Sequence, residues 1–165
     1  MELAVPPPTR VAVGVRLRTP LVVTFIGSST ARDHRQGDPG ACALPDLSGI
    51  WVYLSLIAPD MEESLAPPRE NLFCGKRADS VHPVYHEQGF DRPTIAYAVF
   101  PDLVIKEPGS YRVKVSIIDM NGAFSAVTAE VHSKVFHVVE ASDHSDNEPK
   151  VDETIDRLRS IGINC

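Results

Sequence analysis

FPDLVIKEPGSYRVKVSIID, residues 100–119, decides the fold. Glu107-Pro108-Gly109 divides it into two extended runs. Proline presets φ for the second position of a turn, and glycine takes the positive φ that a type II turn needs next. Beyond the turn, Tyr111, Val113, Val115 and Ile117 alternate with Ser110, Arg112, Lys114 and Ser116. Period two marks a strand with one buried face. Asn121-Gly122 then signals a hairpin, because both residues tolerate φ > 0. Val127, Ala129 and Val131 alternate with Thr128 and Glu130, and a further run covers Val135–Val139. The reading is an antiparallel meander that needs a second sheet to cover it.

Working outward, other segments supply that sheet. Val11, Val13, Val15 and Leu17 alternate with Arg10, Ala12, Gly14, Arg16 and Arg18, so a strand here would carry three arginines on one face. Leu21–Gly27 continues it past Thr19-Pro20. Ile50–Ala58 is nearly all apolar, as in a central strand covered on both faces. Leu72–Lys76, Ser80–Tyr85 and Ile95–Phe100 add shorter runs. Residues 1–9 read as a proline-rich lead-in, and 28–48, 59–71 and 140–150 as long loops. Val151–Ile161 is the one helix, with Ile155, Leu158 and Ile161 on a face, Asp152 as cap and Gly162 as stop. Together these predict a single all-β domain over 1–165, an immunoglobulin-like β-sandwich with one C-terminal helix. A closed barrel satisfies the same periodicity.

The totals fit that class. A chain of 165 residues, 43% hydrophobic, can bury one core. The fourteen prolines fall mainly between the apolar runs. No apolar run approaches the ~20 residues of a membrane span. The opening MELAVPPPTR reads against an export signal. Three cysteines, Cys42, Cys74 and Cys165, do not close into pairs, so reduced thiols are expected. The net charge is −6, but residues 1–35 hold five arginines against Glu2 and Asp33. That end is positive on an acidic body, and local field governs contact with phosphate.

Candidate chemistry is sparse. Cys74, His82 and His86 are metal-ligand types, but Pro83 argues against the helix that would align two histidines. Asp102, Asp119 and Glu130 lie near strand ends with nothing to pair them for acid–base work. There is no nucleophile elbow, P-loop or dinucleotide fingerprint. The reading therefore names no catalytic residue, cofactor, metal or small-molecule substrate. Trp51, Tyr53, Phe100, Tyr111, Phe124 and Phe136 are expected in the core or a dimer interface. Arg10, Arg16 and Arg18, with Arg32 and Arg35 in the following loop, form the best binding constellation, a phosphate clamp for DNA.

Asp91-Arg92-Pro93-Thr94, Phe100-Pro101-Asp102-Leu103 and Gly109-Ser110-Tyr111-Arg112, in that order, resemble the signature of the fungal velvet domain. Ile50–Ile57 is similar to that family's apolar strand, and Ser133–Val138 with Asp152–Cys165 to its closing strand and terminal helix. The resemblance covers Ile50 to the end. It implies a Rel-homology-like sandwich in a nuclear regulator of fungal development, sporulation and secondary metabolism, able to shuttle from the cytoplasm. It implies other velvet-domain proteins as homo- or heterodimer partners, and DNA as ligand. The family's N-terminal R-x-C-G and D-R-R-P elements have no counterpart here, so the five arginines are candidates by position. The alternative is an interaction module that dimerises with a DNA-binding velvet partner.

Overall fold

The computed structural model describes residues 1–26, 47–84, 94–121, 126–140, 151–160, 162, 163 and 165. Along them run β1 (Glu2–Val5), β2 (Arg10–Ala12), β3 (Leu21–Ile26), β4 (Ile50–Ile57), β5 (Ser64–Ala66), β6 (Phe73–Cys74), β7 (Ala78–Ser80), β8 (His82–Pro83), β9 (Thr94–Phe100), β10 (Val104–Ile105), β11 (Gly109–Asp119), β12 (Ala126–His132), β13 (Phe136–Val139) and α1 (Val151–Ser160). One sheet has the order β1-β3-β9-β8. The other has β2-β13-β11-β4-β5, with β12 also on β11 and β7 also on β4. Two facing open sheets make this a β-sandwich and not a closed barrel. The strand order is immunoglobulin-like: β1, β3, β9 and β8 take the places of A, B, E and D, and β4, β11 and β13 those of C, F and G.

The period-two residues of β11 account for the core. Tyr111, Val113 and Val115 face inward beside Val52, Leu54 and Leu56 of β4 and Phe136 and Val138 of β13. Across the gap they meet Leu21, Val23, Ala96, Ala98 and Phe100 of the other sheet. Each such aliphatic or aromatic side chain, fully buried, contributes about 1.5–3 kcal/mol. The opposite face of β3 and β9 is also covered. Val22, with Val5 and Val84, packs on Ile155 and Leu158 of α1 and on Ile163. The helix is thus a third layer, outside the smaller sheet. Its end is a Schellman motif: Gly162 sits at φ +85°, Gly162 N donates to Arg159 O at 3.0 Å, and Ile163 N to Leu158 O at 3.0 Å. The helix starts at Val151, so Asp152 lies inside it and not at the cap position.

Several expectations need correction. Residues 1–9 are not a lead-in, because Glu2–Val5 pairs antiparallel with β3. The segment 59–71 contains β5. The alternation from Val11 to Leu17 is not one strand. β2 ends at Ala12, Gly14 turns the chain at φ +71°, and Val15 points outward at 49% exposure. The run from Phe100 to Val139 is not a simple meander. β10 pairs with β6, while β12 and β13 share the same edge of β11, at Lys114–Asp119 and Gly109–Tyr111 respectively. Ser133 makes the step between them. Its Oγ accepts from Val113 N at 2.9 Å, and its own N donates to Val113 O at 2.8 Å. β4 is covered on both faces only at its end, where Ser55 and Ile57 are buried; Trp51 is 44% exposed. Phe100, Tyr111 and Phe136 are in the core as expected. Phe124, Gly122, Cys42, and nearly all of 28–48 and 140–150 lie outside the described residues.

Gly109 begins β11 at φ +154°, not at the ~+80° of a type II turn. Its role is spatial, since a Cβ would sit 3.0 Å from Tyr111 Oη. That hydroxyl reaches back to the carbonyls of Glu107 and Pro108, each at 3.4 Å. This is the tyrosine corner of Greek-key sandwiches, on the strand in the F position. Two residues on, where antibody domains place a cysteine, stands buried Val113.

Asp79 ties the two sheets together at one edge. It lies on β7 of the larger sheet and is 5% exposed, yet Oδ2 accepts from Val99 N of β9 at 2.9 Å. Lys76 Nζ at 2.7 Å and His82 Nε2 at 3.3 Å complete its shell. Burial alone would raise this carboxyl; the bonds from Lys76, Val99 and His82 outweigh it and hold the pKa below its ordinary 3.8. The folded pKa being the lower one, the stabilisation is complete above the unfolded value and is lost as pH falls through the folded one. Asp79→Ala should cost about 1–3 kcal/mol, because Val99 N–H loses its acceptor. In thermal unfolding between about pH 6 and about pH 3, Asp79→Asn should show a shallower acid loss than wild type; equal slopes would contradict the assignment.

Candidate nucleic-acid interface

The sequence places Arg10, Arg16 and Arg18 between the first strand and β3, and the backbone fixes them there. β2 runs parallel to β13, with Arg10 opposite His137, and Arg10 is exposed. After Gly14 the chain lies along β10. Gly14 N donates to Ile105 O at 2.7 Å and Leu17 N to Leu103 O at 2.9 Å, with a bridge between Arg16 and Val104. Leu17 is buried, so its flanking residues Arg16 and Arg18 both turn outward. The arginines therefore do not share one strand face. Arg16 and Arg18 come together on a pinned connection, and Arg10 stands apart on β2.

The turn between β9 and β10 forms the other wall. Phe100 and Leu103 are both fully buried, which leaves Pro101-Asp102 as the tip between two anchors. Asp102 has φ 63°, in the left-handed region that Asp tolerates better than most residues. Its Oδ1 lies 2.9 Å from Arg16 Nη1, with both side chains more than half exposed. An exposed pair of this kind is worth about 0–1 kcal/mol. Gly75 supports the turn from below, because a Cβ there would lie 2.4 Å from Asp102 O.

Arg16, Arg18, Pro20, Pro101, Asp102 and Cys165 line a cleft of ≈ 450 Å³. Arg159 of α1 brings Cys165 there, its Nε donating to Cys165 O at 2.7 Å. Burial raises the Cys165 thiol, and nearby Arg159 only partly offsets this. Arg32 and Arg35 lie outside the described residues. Their stretch joins the described chain at Ile26 and Leu47, and Ile26 is the end of β3 away from Arg18.

The other candidates are not brought together. Cys74 on β6 donates weakly to Asn71 O at 3.5 Å, while His82 is held by Asp79; His86 lies outside the described residues. No group of three potential metal ligands occurs among the described residues. Asp119 accepts from Asn121 N at 2.8 Å. Glu130 is bonded by Lys114 at 2.8 Å, and that bond chiefly holds its pKa low. Sequence reasoning missed Asp102 as the partner of Arg16. The signal was present in two core residues, Phe100 and Leu103, that force Pro101-Asp102 outward.

No protein-family model matches the sequence, and no curated protein matches it significantly. Gly75→Ala should test the support of the turn. The residue sits at φ +107° against backbone, so the substitution should lower stability by more than about 1 kcal/mol in denaturant unfolding. Unchanged stability would mean that Gly75 does not hold the turn.

Proposed function

We propose that the chain is a velvet-type nuclear regulator of fungal development and secondary metabolism, which dimerises through its β-sandwich and contacts DNA with Arg16, Arg18 and Arg10. One observation supports the DNA contact above the others. Arg16 and Arg18 stand exposed on a connection whose backbone is pinned to β10. Arginines on a fixed backbone cost less chain ordering on meeting phosphate than arginines on a free loop. Phosphate also displaces Asp102 at little cost, because the Arg16–Asp102 pair is exposed. These contacts supply affinity without base information.

The second reading is an interaction module that contributes no DNA contact of its own. The acidic net charge of −6 and the occupation of Arg16 by Asp102 favour it. A mobility-shift titration at several salt concentrations separates the two. On the first reading, the double substitution Arg16→Glu and Arg18→Glu weakens binding and reduces the salt slope by about 2, about 0.9 per lost phosphate contact. Asp102→Asn should tighten binding several-fold by removing the competing carboxylate. If neither change alters DNA affinity, alone or with a velvet partner, the interaction-module reading stands.

A further inference from the structure

Arg10, His137 and Ser110 form a row across the outer face of the larger sheet. β2 sets Arg10 opposite His137, and β11 sets Ser110 opposite the same histidine. Paired residues on neighbouring strands project from one face. That face is the outer one. The next residues along, Val11, Val138 and Tyr111, are buried in the core, whereas Arg10, His137 and Ser110 are all exposed. The backbone holds the row in place. His137 N donates to Thr9 O at 2.9 Å and Val13 N to Val139 O at 2.8 Å, on either side of Arg10.

Two features set this row apart from the other basic groups. Arg16, Arg69, Lys76, Lys114 and Arg159 each have a carboxylate within ion-pair distance. Arg10 and His137 have none among the described residues, and Glu107, the acid nearest Ser110 in the chain, is engaged by Arg69. The second feature is that the imidazole is oriented, with Nδ1 2.9 Å from Ser110 Oγ. When that hydroxyl donates to Nδ1, the neutral ring carries its proton on Nε2, which is left as an open donor. Arg112, two residues beyond Ser110 on the same face, adds positive charge, its Nε donating to Ser133 O at 3.2 Å.

We infer that this row binds a phosphate group, with Arg10 and His137 Nε2–H donating to its oxygens and Ser110 positioning the ring. Adjacent strands lie about 4.8 Å apart, so the long Arg10 side chain reaches the same anion as the imidazole beside it, and its planar fork suits phosphate. The inference deepens the DNA contact proposed above and rests on that reading for the backbone phosphate as ligand. It gives Arg10, which stands apart from Arg16 and Arg18, two partners of its own.

The full chain, with its histidine rings observed by NMR at constant pH, tests this. The His137 signal is identified by its loss in His137→Gln. Inorganic phosphate, titrated against chloride at matched ionic strength, should shift that signal to saturation, and a short duplex at low salt should shift it too. Arg10→Gln should weaken the phosphate response about tenfold, the loss of one charge-assisted bond, and Ser110→Ala should weaken it several-fold, both with the thermal transition unchanged. If Arg10→Gln fails to fold, Ser110→Ala decides. A His137 signal that neither ligand moves, or one that responds to phosphate equally in both variants, overturns the site. A duplex that binds without moving His137 overturns it as well and leaves the Arg16–Arg18 contact standing. A saturable phosphate response with no duplex binding keeps the site for a small phosphate and removes the DNA reading.

Discussion

The ladder between β11 and β4 sets the position of everything else. Arg112–Asp119 lies against Ile57–Ile50 in unbroken register, which fills one edge of β11 and leaves the other for its successors. That second edge is longer than either β12 or β13 and is divided between them at Ser133. Because β13 takes the Gly109–Tyr111 end, it presents a free outer edge to β2. Because β2 is drawn there, the first strand splits between the sheets, and the chain returns to β3 along β10. The exposed Arg16 and Arg18 are a consequence of this path.

Two of the stretches that carry the resemblance, Phe100–Leu103 and Gly109–Arg112, have mechanical roles. Phe100 and Leu103 anchor a turn whose tip is Asp102, and Gly75 yields the space beneath it. Gly109 makes room for the Tyr111 hydroxyl, which closes the corner between β10 and β11. Both motifs belong to the crossing from one sheet to the other. A sandwich must make that crossing without stranding backbone groups in its core. They form a corner of the fold, and the segment proposed to bind DNA lies against them.

What was legible in the sequence was local. The alternation of Tyr111, Val113 and Val115 gave β11 and its buried face, Ile50–Ile57 gave β4, and Ile155 and Leu158 gave the inward face of α1. What was not legible depended on distant partners. Glu2–Val5 is a strand only because Val22–Thr24 lies beside it, and Arg10–Ala12 only because His137–Val139 does. The run Val11–Leu17 keeps perfect alternation through Gly14, yet a left-handed residue there ends the strand, and periodicity carries no sign of that. Asp79 reads as an ordinary loop acid until folding sets Val99 against it. Three of the five arginines precede β3, and their separation into Arg10 and the Arg16–Arg18 pair comes from the turn at Gly14.

The central claim is that DNA meets the connection between β2 and β3 and the turn that packs against it. Amide hydrogen exchange, compared with and without a short duplex at low salt, tests this most directly. Protection should appear at residues 14–18 and 101–106, and not in β4 or α1. Protection confined to other segments, or none anywhere at a duplex concentration that saturates binding, would contradict it.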